Sequence, residues 1–209
     1  MHFTGLEQTV FFASGSLRLE GRLSVAAGPN AVVVTHPHPL YGGDLDNPVV
    51  ATLVESYHEQ GFTTLRFNFR GVGASQGHYA DGLGECEDVK AAATYLTGLG
   101  KTVSDLAGYS FGAWVNLSLR PPLAMVRRQV AVAPPVALLD FSAVGNLSAQ
   151  PLVIVGDCDA FAPLERLREL LPCWHSVARL LVVPGADHFY QGTLSRLQTI
   201  VAGVLAEAG

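Results

Sequence analysis

Leu106-Ala107-Gly108-Tyr109-Ser110-Phe111-Gly112-Ala113 is the stretch on which the reading of this chain turns. It is a G-x-S-x-G pentapeptide between an apolar run at 102–107 and a helix-like segment at 113–119. A serine held at a sharp strand-to-helix turn presents its hydroxyl to solvent, beside helix N–H groups able to bind an oxyanion. Glycines flank such a serine because the turn is tight and its backbone strained. A glycine-rich turn whose serine merely caps a helix has the same spelling. With 22 glycines among 209 residues, the pentapeptide also arises readily by chance. Its surroundings therefore have to decide.

On the N-terminal side, 8–13 and 17–25 read as a β-hairpin around Ser14-Gly15-Ser16. The pattern then changes to short apolar strands separated by helical segments. Strands are expected at 31–35, 63–67, 102–107, 129–133, 151–155 and 178–183. Continuous apolar runs such as 31–35 suit strands buried on both faces. Helices are expected at 48–60, 84–99, 111–119, 163–171 and 193–208. Pro48 and Gly61 bracket the first of these, and Glu85, Glu87 and Asp88 load the start of the second with acid. Strand-helix alternation after an antiparallel start predicts an α/β fold, with a mostly parallel eight-stranded sheet and helices on both faces. No repeat, linker or low-complexity segment divides the chain, so one domain over 1–209 is expected.

In such a sheet, function gathers at the carboxyl ends of the strands. The segments that follow the strands are His36-Pro37-His38-Pro39-Leu40-Tyr41-Gly42-Gly43, Asn68-Phe69-Arg70-Gly71-Val72-Gly73-Ala74-Ser75, Ser110, Gly156-Asp157-Cys158-Asp159-Ala160-Phe161-Ala162-Pro163, and Gly185-Ala186-Asp187-His188-Phe189-Tyr190. A nucleophile, an acid and a base thus follow one another as Ser, Asp and His, all on one sheet edge. Ser110 is the expected nucleophile and needs an adjacent base, for which His188 is the candidate. A carboxylate must orient that histidine. Asp157 and Asp159 both stand in the right loop, while Asp187 reads as a turn residue.

Composition narrows the classes. Hydrophobic residues make up 49% of the chain and charged residues 15%, enough for a large core. The net charge of −5 gives no electrostatic support to a nucleic-acid partner. No apolar run is long enough for a membrane span, and the N-terminus lacks the pattern of a signal peptide. Three scattered cysteines, Cys86, Cys158 and Cys173, suggest reduced thiols in a cytoplasmic protein, with Cys158 a small half-buried residue. His36-x-His38 has no third ligand at metal-site spacing, and the Gly71-x-Gly73-x-x-x-Gly77 turn has the wrong spacing for a dinucleotide loop. No metal and no cofactor are expected. Tyr41 and Tyr190 are candidates to line a site, and Arg70 reads as structural. Apolar surface near Phe11, Phe12 or Trp174 offers a route to a homodimer.

Taken together, the HPHPLYGG, FNFRGVGASQG, GYSFG, GDCD and DHF segments make the chain resemble the α/β-hydrolases over nearly its whole length. Within them it is similar to small, lidless bacterial serine hydrolases related to dienelactone hydrolase. The resemblance implies eight strands with the second antiparallel to the rest. It implies an acid three residues after the loop glycine and four before a proline, which is Asp159. It also implies an oxyanion hole using the N–H of Phe111 and a second donor from the loop after Thr35. Proline has no N–H, so His38 and Leu40 remain as candidates. Only about 16 residues, 135–150, occupy the place where many relatives insert a lid, so the site should be shallow and open. The activity implied is hydrolysis of a small-molecule ester or thioester without a cofactor. A non-catalytic binding module and a dienelactone-hydrolase-like activity are the alternatives, and Ser110 departs from the cysteine often found at the elbow of the latter.

Overall fold

A computed structural model describes residues 7–207. The last residue of the helix expected at 193–208, and the start of the N-terminal stretch read for a signal peptide, lie outside them. Eight strands form one sheet: β1 (Gln8–Ser14), β2 (Leu17–Ser24), β3 (Asn30–Thr35), β4 (Thr63–Phe67), β5 (Thr102–Tyr109), β6 (Arg128–Val132), β7 (Gln150–Gly156) and β8 (Arg179–Val183). Their spatial order is β1-β2-β4-β3-β5-β6-β7-β8. β2 runs antiparallel to both neighbours, and the pairs from β4 through β8 are parallel. This is the expected topology, with strand ends shifted by one or two residues. Five helices accompany the sheet: α1 (Pro48–Glu59), α2 (Leu83–Gly98), α3 (Phe111–Leu117), α4 (Leu164–Trp174) and α5 (Leu194–Ala206).

The two-residue period of a strand separates the core into two layers. Val32 and Val34 of β3 join one cluster, with Leu53 and Tyr57 of α1 and Leu197 and Val201 of α5. Ala31 and Val33 join the other, with Val89 and Leu96 of α2. Continuous apolar strands are thus explained by burial on both faces. Phe12 and Trp174 lie in these clusters, 5% and 0% exposed, and are core residues rather than pairing surface. Phe11 is exposed, but Arg18 covers its ring at 4.0 Å. The surface proposed from sequence for a homodimer is therefore reduced to this one covered ring.

The acids at the start of α2 do more than favour its dipole. Glu85 accepts the N–H groups of Ala80 and Gly82, closing the helix start. Asp88 is fully buried, where the Arg70 guanidinium meets both its oxygens at 2.8 and 3.0 Å and the Ser14 hydroxyl adds a third bond. A buried carboxylate needs such a full set of partners. Arg70 is structural, as its sequence context indicated. Residues 133–149, between β6 and β7, contain turns and no helix. No described helix is long and apolar enough to cross a membrane.

Candidate active site

Ser110 sits between β5 and α3 with φ 53° and ψ −116°, a conformation that L-residues avoid. The flanking glycines are required by contact. A Cβ on Gly108 would lie 2.5 Å from Thr35 Oγ1, and one on Gly112 would lie 2.6 Å from the His36 carbonyl oxygen. The end of β3 therefore passes directly against the elbow, and only bare backbone fits.

The structure brings together three residues that the chain separates widely. Ser110 Oγ lies 3.0 Å from His188 Nε2. His188 Nδ1 lies 2.9 and 3.1 Å from the two oxygens of Asp159. An ionised carboxylate only accepts, so Nδ1 carries the proton toward Asp159, leaving Nε2 to accept from the serine hydroxyl. Asp159 Oδ1 also accepts the N–H groups of Phe161 and Ala162, which fixes the carboxylate. The Tyr109 hydroxyl donates to the His188 carbonyl at 2.7 Å. Phe161 packs edge-on against the His188 ring. Tyr109 and Phe161 stand at variable positions of the quoted segments and are not singled out by them, since their roles depend on which loop faces them.

Gly156 explains how the acid and base loops meet. A Cβ there would lie 2.0 Å from the Ala186 carbonyl oxygen, which instead accepts the Cys158 N–H. Asp157 is the second stitch: its Oδ1 accepts the Gly185 N–H at 2.7 Å. It thus ties two loops together rather than capping its own turn. Asp187 accepts the Phe189 N–H and is a turn residue, as read. Cys158 is exposed rather than half-buried, and its thiol leans on Asp157.

The HPHPLYGG segment forms a compact loop with a short 3-10 turn at Pro39–Tyr41. Gly42 closes the turn with φ 79°, and a Cβ on Gly43 would strike the Pro37 carbonyl. His38 Nδ1 accepts the Leu40 N–H at 3.2 Å. That engages the Leu40 donor, and the Leu40 side chain is exposed. Among the described residues, the N–H groups of His38 and Phe111 form no hydrogen bond. Between the two candidates after Thr35, the free donor thus belongs to His38. The His38 ring packs against Tyr41, Tyr79 and Phe111, and partial burial lowers its pKa.

His36 is not placed as a metal ligand. It is fully buried, its Nε2 accepts the Phe69 N–H at 3.0 Å and its Nδ1 faces the Pro37 carbonyl at 2.6 Å. Nε2 thus pins the HPHP loop to the one that follows β4, while Nδ1 is used within the HPHP loop itself. No group of three or more His, Cys, Asp or Glu side chains able to hold a metal occurs among the described residues. Burial lowers the His36 pKa from 6.5 to about 4, so the folded protein keeps it neutral. Between those values the unfolded chain binds a proton that the folded chain refuses, so stability falls as pH drops from 6.5 to 4. The expected loss is about 3 kcal/mol across that window. Urea unfolding at stepped pH checks this. His36→Asn should show a correspondingly flatter pH dependence than wild type, and parallel curves would refute the assignment.

The Ser110 hydroxyl opens into a cleft of about 770 Å³. Its walls include His38, Tyr41, Asn47, Leu138, Leu139 and Phe161. Leu138 and Leu139 come from the segment where a lid would be inserted, and they form a low wall instead. Tyr41 stands at the rim, 87% exposed, while Tyr190 is buried in the core with its hydroxyl on the Ile154 carbonyl. One tyrosine thus lines the site and the other does not.

Solved structures of known proteins share this fold. No family model matches the chain. An uncharacterized protein of Rickettsia prowazekii (strain Madrid E), RP471, is 33% identical over 194 residues, covering 87% of this chain and 82% of its own. The structure of an α/β serine hydrolase homologue from Coxiella burnetii is similar with a TM-score of 0.85 at 32% identity, covering 98% of this chain and 100% of that one. XC6422 from Xanthomonas campestris, described as an α/β serine hydrolase without a lid, has a TM-score of 0.85 at 29% identity, covering 98% and 96%. The chain belongs to the α/β-hydrolase family. Its place within that family is among the small hydrolases that lack a lid.

Proposed function

We propose that the protein cleaves carboxylic esters or thioesters through an acyl-enzyme on Ser110, within a single domain spanning 1–209. The observation that carries this reading is the hydrogen-bonded chain from Asp159 through His188 to Ser110, ending in an open cleft. In the first half-reaction, Ser110 Oγ attacks the acyl carbonyl while its proton passes to His188 Nε2. Asp159 stabilises the resulting imidazolium and holds its orientation. The N–H groups of Phe111 and His38 receive the negative charge on the carbonyl oxygen. The tetrahedral intermediate collapses, and His188 returns the proton to the departing alkoxide or thiolate. In the second half, His188 takes a proton from water, the hydroxide attacks the acyl-serine, and the acid is released with Ser110 restored. No step calls for a cofactor. The three free thiols fit a reducing, cytoplasmic setting.

A fluorophosphonate probe separates this reading from a non-catalytic binding module. Wild type should gain one probe mass, mapped to Ser110, within minutes at micromolar probe. Folded wild-type protein that stays unlabelled would favour the module. Serine at the elbow argues against a dienelactone-hydrolase-like activity, which the same labelled enzyme can be assayed for directly.

A further inference from the structure

The cleft around Ser110 has an uneven chemistry. No lysine, arginine, aspartate or glutamate lines it among the described residues. A substrate carrying a carboxylate or phosphate into it would lose water and find no cation in return. The walls are mostly apolar or aromatic, with polar groups at few points.

Two of those points use the same local device. Asn47 caps α1, and its Oδ1 accepts the Val49 N–H at 2.9 Å. His38 caps the 3-10 turn, and its Nδ1 accepts the Leu40 N–H at 3.2 Å. In each case the backbone N–H two residues on consumes the side chain's acceptor. This fixes the Asn47 amide orientation and the His38 tautomer without reference to any ligand. What each side chain has left for the cleft is a donor: the Asn47 Nδ2 amide and the His38 Nε2–H. Neither has a hydrogen-bond partner among the described residues. The lowered pKa of His38 keeps its ring an uncharged donor at neutral pH. The Tyr109 hydroxyl is already committed to the His188 carbonyl, and the Tyr41 hydroxyl stands in solvent at the rim.

An apolar cleft that offers neutral donors and no cation selects neutral oxygen acceptors. Resting on the reading of Ser110 as the nucleophile, we propose that the substrate is an uncharged ester bearing a second neutral oxygen acceptor, such as another ester carbonyl. Asn47 is the specificity residue that receives this oxygen.

Three 4-nitrophenyl esters of matched length test this: the alkanoyl ester, the methyl ester of the corresponding diacid, and its free carboxylate. They are made at heptanoyl/glutaryl and octanoyl/adipoyl lengths. At one or both lengths, wild type should turn over the methyl diester about 30-fold faster in kcat/KM than the carboxylate. Asn47→Asp keeps a capping oxygen for Val49 while removing the donor, and Asn47→Ser keeps a capping oxygen while withdrawing the Nδ2 amide, leaving only a short hydroxyl. Each should lower the ratio of methyl diester to alkanoyl ester by about fivefold. A preference for the methyl diester over the carboxylate of less than tenfold at both lengths, or a ratio that moves less than threefold in both variants, overturns the inference. Turnover with flat selectivity sinks this inference alone. Failure of wild type to turn over any of the esters sinks the reading of Ser110 as well.

Discussion

Ser110→Ala is expected to leave a folded protein whose turnover of 4-nitrophenyl acetate falls by about a millionfold in kcat, to the level of oxyanion binding alone. The substitution removes only Oγ, whose hydrogen bond is the one to His188. Ser110 caps α3 through its backbone and makes no side-chain capping bond, so the helix start is not weakened. The strained backbone stays as it is, because alanine at φ 53° is no more comfortable than serine. Ser110→Gly should be equally inactive but more stable than Ser110→Ala by about 1 kcal/mol, since glycine accepts that conformation at little cost. Thermal unfolding of the two variants beside their kinetics checks both halves. Undiminished turnover by either would reject Ser110 as nucleophile.

Asp159→Asn is expected to lower kcat by about 10⁴-fold while leaving the fold nearly intact. The amide oxygen can still accept the N–H groups of Phe161 and Ala162, which Asp159 Oδ1 serves in wild type. The amide nitrogen would then face His188 Nδ1, where the carboxylate oxygen was. A donor at that place favours the tautomer with Nδ1 as acceptor and the proton on Nε2. The imidazole would then point an N–H at Ser110 and could not take its proton. Asp159→Ala removes the loop anchor too, so it should lose stability as well as activity. Because nucleophile, base and acid act as a unit, adding Asp159→Asn to Ser110→Ala should cost almost nothing further. Activity of Asp159→Asn within tenfold of wild type would refute the role assigned to this carboxylate.

Much of this is legible in the amino-acid sequence. Ala31 to Val34 reads as a buried strand because four apolar residues in a row can satisfy two helical layers at once. Pro48 and the glycines at 42, 61 and 112 mark starts, stops and close approaches through chemistry that acts over a few residues. The order of candidate residues along one sheet edge follows from that alternation. Other features were out of reach. Phe12 and Trp174 are apolar side chains whose neighbours in sequence do not reveal whether they face a core or a partner. Asn47 caps α1 through Oδ1, and nothing local says that the same residue lines a cleft.

By itself the sequence determined the architecture, the strand edge that carries the site, and the serine and histidine to examine there. Each of these is written in periodicity and turn chemistry, which act between near neighbours. The tertiary structure set Asp159, which the resemblance implied, rather than Asp157 against His188, and it alone decided that the Leu40 N–H is engaged while that of His38 is free and that the cleft holds donors without cations. The meeting of Ser110, His188 and Asp159 depends on hydrogen bonds near 3 Å between residues 29 and 78 apart in the chain. At that range a shift of one residue in a turn changes the partner, and only the packed sheet holds the turns in register.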